Sequence, residues 1–369
     1  MNMVEQALPL DKEACITILP KQLFRNVFTW LFHEIFHMYT CWIGLLLCLT
    51  TSLSFYNFFS AHLNGPLVAA LAGTFVLSLN LPVLWYFFMK HRTTSKRKED
   101  MAKSVALLDP GVDLDKWELV AHNLNWMLYE DRSWRTSHFF FNGEQCHCCF
   151  RNEIVRPVMQ GKLNTESSEK NAFREAVESY QSGLDNTYNE IQQDSLPELS
   201  QEFRVLPKYN HHTKLSFRKR YFMSVPFLGV LFYGCYLFFF LGPLIRSSYV
   251  MMLFCSFCFI CVALANYRTY GIIRCAKVDL KSRINFLATI VRIAPGMETD
   301  KWDEIAMHMN QYLHDAEIWK TYDENFFDGA ECLNFFKAEF KPLASGKLEL
   351  AYPELQNLVA RVVEVCELE

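Results

Sequence analysis

"DKWELVAHNLNWMLYEDRSWRTSHFFFNGEQCHCCF", residues 115–150, and "DKWDEIAMHMNQYLHDAEIWKTYDENFFDGAECLNFF", residues 300–336, are two versions of one text. Asp115, Lys116, Trp117, Ala121, Asn125, Leu128, Trp134 and Thr136 fall on Asp300, Lys301, Trp302, Ala306, Asn310, Leu313, Trp319 and Thr321. The second version carries one inserted residue. After it Phe140, Phe141, Gly143, Cys146 and Phe150 fall on Phe326, Phe327, Gly329, Cys332 and Phe336. "GKL" at Gly161 recurs at Gly346, and "LPK" at Leu19 recurs at Leu206. The chain is therefore one unit written twice.

Inside each copy Trp117, Val120, Ala121, Leu124 and Leu128, and likewise Trp302, Ile305, Ala306, Met309 and Leu313, recur at spacings of three and four. That is one apolar stripe of a helix. Asp115 and Asp300 read as N-caps, and Asn142-Gly143 and Asp328-Gly329 as turns. The expected product is a small helical cap with its aromatic side chains packed inward. A partner-binding groove is the alternative.

Two long apolar blocks precede each copy. "CWIGLLLCLTTSLSFYNFF" (41–59) and "PLVAALAGTFVLSLNLPVLWYFFM" (66–89) have counterparts over 221–242 and 249–273. A bilayer takes about 20 apolar residues, so the expectation is four spans in two tight hairpins. Basic residues flank them on one side: Lys21 and Arg25, "KHRTTSKRK" from Lys90, "KLSFRKR" from Lys214, and Arg268, Arg274 and Lys277. The positive-inside rule would put both termini and the central segment in the cytosol. Recognition of acidic lipids is a second use for such flanks.

The fold class expected is thus an all-α membrane protein with a tandem internal repeat. Residues 1–40 form an N-terminal lead, 41–89 a first transmembrane hairpin and 90–164 a first cytosolic repeat. Residues 165–220 form an acidic linker leading to the second unit. A second hairpin over 221–273 and a second repeat and tail over 274–369 complete the chain. The linker "TESSEKNAFREAVESYQSGLDNTYNEIQQDSLPELSQEF" is polar enough to read as mobile apart from one helix near 171–181.

The net charge of -4 gives no bulk attraction to nucleic acid, and the 13 cysteines follow no secreted disulfide pattern. The N-terminus lacks the order of a cleavable signal peptide. "HEIFH" (33–37) fits the zinc-protease pattern, with two imidazoles one turn apart and a glutamate beside them. The sequence supplies no evident third ligand, and the second copy has "SFRKRYF" there. "CHCC" at 146–149 keeps only Cys332 in the second copy. No metal, cofactor or catalytic residue is therefore assigned. Cys41, Cys148 and Cys275 are candidates for lipidation.

The repeat, with "DKW...NLNWMLYEDRSW...FFFNG" and "DKW...MNQYLHDAEIW...FFDG" after apolar pairs, resembles the yeast Cos proteins, the subtelomeric DUP-repeat family. "LPKQLFRNVFTWLFHEIF" is similar to that family's lead. The resemblance implies a non-enzymatic protein of endosome and vacuole. It would sort cell-surface membrane proteins into multivesicular bodies, supplying ubiquitin in trans. Implied partners are membrane lipids, a ubiquitin ligase with the ubiquitin-sorting machinery, and cargo membrane proteins. Association with itself or with family members stays open. A HEIFH-based membrane metalloprotease and a regulatory subunit of an ion transporter are the competing classes. Under the sorting reading Lys12, Lys162, Lys170 and Lys347 are the candidate ubiquitin acceptors. Lys90, Lys96, Lys98, Lys214 and Lys219 hug the expected span ends. Leu206, Pro207 and Tyr209 form an "LPxY" variant of the Pro-Tyr motif that WW domains read as an extended segment.

Overall fold

A computed structural model describes residues 19–59, 65–162, 167–218, 278–316, 326–347 and 352–366. Every regular element among them is helical. By its internal contacts the chain divides into two compact units, Met1–Tyr180 and Gln181–Glu369.

In the first unit α1 (Val27–Phe36), α2 (Tyr39–Phe59), α3 (Gly65–Lys96), α4 (Lys98–Leu108), α5 (Leu114–Glu130) and α6 (Gly143–Phe150) follow in order. One π turn, Arg151–Val155, and a short helix, Arg156–Met159, continue α6. The stripe expected on α5 is its core face: Trp117, Val120, Ala121, Leu124 and Leu128 are all buried. The cap, however, is Asp113, whose side chain accepts from the Asp115 backbone N–H. Asp115 lies inside the first turn, where its charge suits the helix dipole.

α7 (Ser167–Gln193) replaces most of the expected mobile linker. Its residues Phe173, Ala176, Val177 and Tyr180 are buried in the first unit. Their spacing of three and four is masked in the sequence by an acidic composition, and burial of that stripe holds the helix. From Gln181 onward Leu184 and Tyr188 are buried in the second unit, where Gln192 donates to the Ala288 carbonyl at 3.0 Å.

The second unit repeats the plan with α8 (Leu280–Ile293), α9 (Thr299–Asp315) and α10 (Gly329–Glu339), and adds α11 (Gln356–Cys366) against α8. The N-cap position of α9 is Glu298 rather than Asp300, and its side chain makes no capping bond. α4 and α8 both end on a left-handed residue, Asp109 (φ 41°) and Ala294 (φ 46°). Two residues on, Gly111 and Gly296 have φ of 51° and 50°. Their carbonyls accept from the indole N–H of Trp117 and Trp302, each at 3.0 Å.

The expectation of transmembrane hairpins needs correction. α2 and α3 cover the first two expected spans, yet among the described residues no helix is long and apolar enough to cross a membrane. α2 is an unbroken helix that carries hydroxyls along its length: Thr50 and Thr51 donate to the Leu47 carbonyl and Ser54 to that of Thr50. α3 contains Asn80 and Pro82 and runs on into Lys90, His91, Arg92 and Lys96. The multi-pass location with cytosolic termini inferred from those spans falls with them. The spans expected over 221–273 lie outside the described residues.

Candidate functional site

Each unit is closed by the same set of contacts. Asn125 donates to the Phe140 carbonyl at 2.9 Å and accepts from the Phe140 N–H at 2.7 Å. Asn310 treats Phe326 identically, at 2.9 and 2.8 Å. Asn142 and Asp328 cap α6 and α10, accepting from the backbone of Gln145 and Glu331. The side chains of Gln145 and Glu331 turn back to accept from the N–H of Phe141 and Phe327, both at 2.9 Å. Gly143 lies against the α5 backbone: a Cβ there would stand 2.6 Å from the Glu118 nitrogen and 2.7 Å from the Trp117 carbonyl carbon. Gly329 is as tight against Trp302 and Asp303. The residues that recur in the sequence are thus the ones that close this packing.

The "LPK" pairs are clamps on it. Lys21 donates its backbone N–H to the Phe141 carbonyl at 3.1 Å and pairs its ammonium with Glu118. Lys208 does the same to Phe327, at 3.2 Å, and to Asp303. Leu19, Pro20, Leu206 and Pro207 are buried. The candidate WW ligand is therefore held in a helical turn, Pro207–Asn210, and of Leu206, Pro207 and Tyr209 only Tyr209 is exposed, at 71%. An extended conformation there would require the clamp to open.

The H-E-x-x-H motif occupies α1. Glu34 is buried, and its carboxylate accepts from the Trp134 indole N–H at 2.7 Å and from the Thr136 hydroxyl at 2.7 and 2.8 Å. It anchors α1 to the segment after α5. The rings of His33 and His37 lie 4.1 Å apart, and His138 comes within 5.9 Å of His33, a neighbour that sequence spacing does not reveal. Burial pushes the His138 pKa down, against the pull of Glu34. Among the described residues no group of three or more His, Cys, Asp or Glu is set to hold a metal ion.

In "CHCC" the four side chains part company. Cys146 is buried, Cys148 exposed and Cys149 half-buried. His147 turns inward, stacks on Trp117 at 4.6 Å and bonds the Tyr180 hydroxyl at 2.7 Å. Burial, helped by Arg151, pushes its pKa down to about 3. Burial likewise raises the Cys149 thiol to about 11 and that of Cys146 well above its usual range.

Lys90 does not reach for headgroups, as its place at an expected span end would suggest. Its ammonium faces the rings of Trp30, Phe139, Phe140 and Tyr86 at 4.8, 5.2, 5.7 and 5.8 Å and donates to Gln145 at 3.3 Å. Desolvation outweighs the nearby Cys149, Glu34 and Cys146, and the pKa falls to about 8. Nothing in its sequence neighbourhood signals this cage, because its walls come from four separate stretches.

Of the candidate acceptors, Lys162 and Lys347 are both exposed and occupy equivalent places. Each follows a left-handed glycine, Gly161 (φ 65°) or Gly346 (φ 80°), and donates its N–H to Pro157 or Pro342 at 3.0 or 3.1 Å. Gly161 and Gly346 donate to Val158 and Leu343, both at 3.0 Å, completing a Schellman cap. Lys170 lies in α7, and Lys12 lies outside the described residues.

A model of the DUP family matches residues 35–162 and 246–347. Among curated relatives, Protein COS7 of Saccharomyces cerevisiae is 32% identical over 345 residues, covering 89% of this chain and 85% of the relative. Protein COS1 of the same yeast is 31% identical over 345 residues, covering 89% and 86%. Protein COS4 is 30% identical over 344 residues, covering 89% and 86%. No solved structure matches the chain. The family model falls on both copies of the asparagine-closed unit, and the likeness to the yeast proteins covers 89% of the chain, so the chain belongs to the DUP family, alongside the yeast Cos proteins.

Proposed function

We propose that the chain is a non-enzymatic adaptor that promotes ubiquitin-dependent sorting of cell-surface proteins into multivesicular bodies for vacuolar degradation. It supplies ubiquitin on its own lysines for cargo in trans. The observation that carries this reading is the paired presentation of Lys162 and Lys347. Both are exposed, and both stand one residue past the same glycine-terminated cap. A ligase needs an amine that it can reach and that no packed partner holds. By contrast Lys90 is caged, and Lys21 and Lys208 are clamped. A protease reading gains no support from Glu34, whose two carboxylate oxygens are already engaged by Trp134 and Thr136.

Replacing Lys12, Lys162, Lys170 and Lys347 by arginine keeps the charge and removes the acceptor amine. Ubiquitin conjugates of the chain should drop steeply on immunoblots, and a lysine-free cargo should persist at the cell surface. An in-frame ubiquitin should restore cargo turnover. Undiminished conjugation and turnover in the four-arginine variant would sink the assignment of these lysines.

A further inference from the structure

The end of α3 carries a second surface that the sorting reading does not use. A cleft of about 660 Å3 is lined by Met89, Arg92, Thr93, Lys96, Arg97 and Ser133. Arg92 and Lys96 are exposed, one turn apart, and neither has an ion-pair partner among the described residues. Arg97 is different. It pairs with Asp100 at 3.2 Å and Asp131 at 3.1 Å and donates to the Ser133 hydroxyl at 2.8 Å. That network fixes the wall and leaves the Ser133 proton free to donate. Thr93 also lines the cleft. It is only 7% exposed, and its hydroxyl has no hydrogen-bond partner among the described residues. That hydroxyl opens on the cleft and is free to donate to a ligand there.

Two unpaired cations, two hydroxyl donors and an open cleft converge, and no free carboxylate lines the space. We infer that this cleft binds a polyanion bearing phosphomonoesters, of the size of an inositol polyphosphate, either free or as a lipid headgroup. Guanidinium forks and hydroxyls match phosphate oxygens, and the charge-assisted bonds they form are the strong ones. The volume lies within the range of small-molecule sites and exceeds what one phosphate needs. A neighbouring cleft of about 770 Å3, lined by His37, Tyr39, Glu130, Arg132 and Arg135 among others, fits an anion less well. Glu130 contributes a carboxylate there, and Arg135 is committed to the face of Tyr39 at 3.5 Å.

The internal repeat separates this site from the requirements of the fold. The residues that close the unit recur in the second copy, and Arg92 and Lys96 fall there on Lys277 and Lys281, but the hydroxyl donors Thr93 and Ser133 fall on Val278 and Ile318, and Arg97 on Ser282. The hydroxyls that complete the site are therefore not needed to close the unit. The cleft can bind such an anion whether or not the chain sorts cargo.

The test uses the full chain and inositol hexakisphosphate as the probe, followed by titration calorimetry at two salt concentrations. Saturable binding is expected, weakening as salt rises. The Arg92→Ala/Lys96→Ala variant should bind at least about tenfold more weakly, and Thr93→Val about fivefold. Lys281→Ala, which removes an exposed cation of α8, should bind like the parent chain. A second measurement needs no variant: the probe should slow acetylation of Lys96, read by mass spectrometry, while leaving Lys281 unchanged. Vesicles of phosphatidylcholine with and without phosphatidylinositol bisphosphate then identify the source. Retention on the phosphoinositide vesicles alone assigns a lipid headgroup, and binding of the soluble probe without retention assigns a free inositol phosphate. Absence of saturable binding, equal weakening in Lys281→Ala, or unprotected Lys96 would each overturn the site.

Discussion

His147 illustrates how a residue's neighbours outweigh its type. Beside three cysteines it looks like a ligand, yet its ring is packed on Trp117 and tied to Tyr180, so it is core. Its burial has a consequence for pH. The folded pKa of about 3 lies below the usual 6.5, so the folded state favours the neutral ring. Its stabilising contribution is complete above the unfolded pKa, near pH 6.5, and is lost as the pH falls toward the folded value. In that window the loss approaches about 1.4 kcal/mol per pH unit for one proton. His147→Gln keeps a polar tip near Tyr180 but cannot titrate. Urea unfolding followed from about pH 7 down to about pH 5 should give a shallower decline for the variant, by close to one proton. A decline as steep as the parent's would show that other groups, such as His138 and His308, carry the acid response. Burial depresses both of these as well.

Among the elements, those that recur are the legible ones. The α5 and α9 stripes, the turn before α6 and α10 and the matching asparagines can be read from sequence because two copies obey one packing rule. α7 is hard to read because its apolar residues, spaced for one face, are diluted by acidic ones. The apolar blocks around α2 and α3 mislead in the opposite sense. Their composition suggests spans, while hydroxyls, Asn80, Pro82 and the basic end of α3 break the run. The clamps are visible as repeated "LPK", but their targets, Glu118 and Asp303, lie about a hundred residues away, and only the fold brings them together. Glycines in these elements have two distinct jobs, and substitution separates them. A Cβ added at Gly346 would meet nothing within 4 Å, so Gly346→Ala should cost only left-handed strain, about 1 kcal/mol. Gly329 touches the α9 backbone, so Gly329→Ala must pry two helices apart and should cost about 3 kcal/mol or more. Equal shifts in urea midpoint would contradict that division.

At the scale of the whole molecule the two units share a design, and the bonds of each closing asparagine stay within its own unit. Asn125 is 3% exposed and Asn310 likewise 3%, and each satisfies both backbone groups of one phenylalanine. Alanine at either position removes two buried hydrogen bonds to a phenylalanine backbone. That should cost about 2–4 kcal/mol within the unit concerned, at about 1–3 kcal/mol per lost buried bond less some relaxation. Two compact units need not melt as one, so each unit's own urea transition, rather than one free energy for the chain, is the quantity to follow. Hydrogen exchange read by mass spectrometry resolves the units directly. Asn125→Ala should loosen α5 and α6 while leaving α9 and α10 protected, and Asn310→Ala should do the converse. The double variant should show both losses, each as large as in the single variant, because the two sites have no partner in common. If Asn125→Ala also strips protection from α9 and α10, the repeats unfold as one body and their likeness reflects a shared core rather than two separate ones.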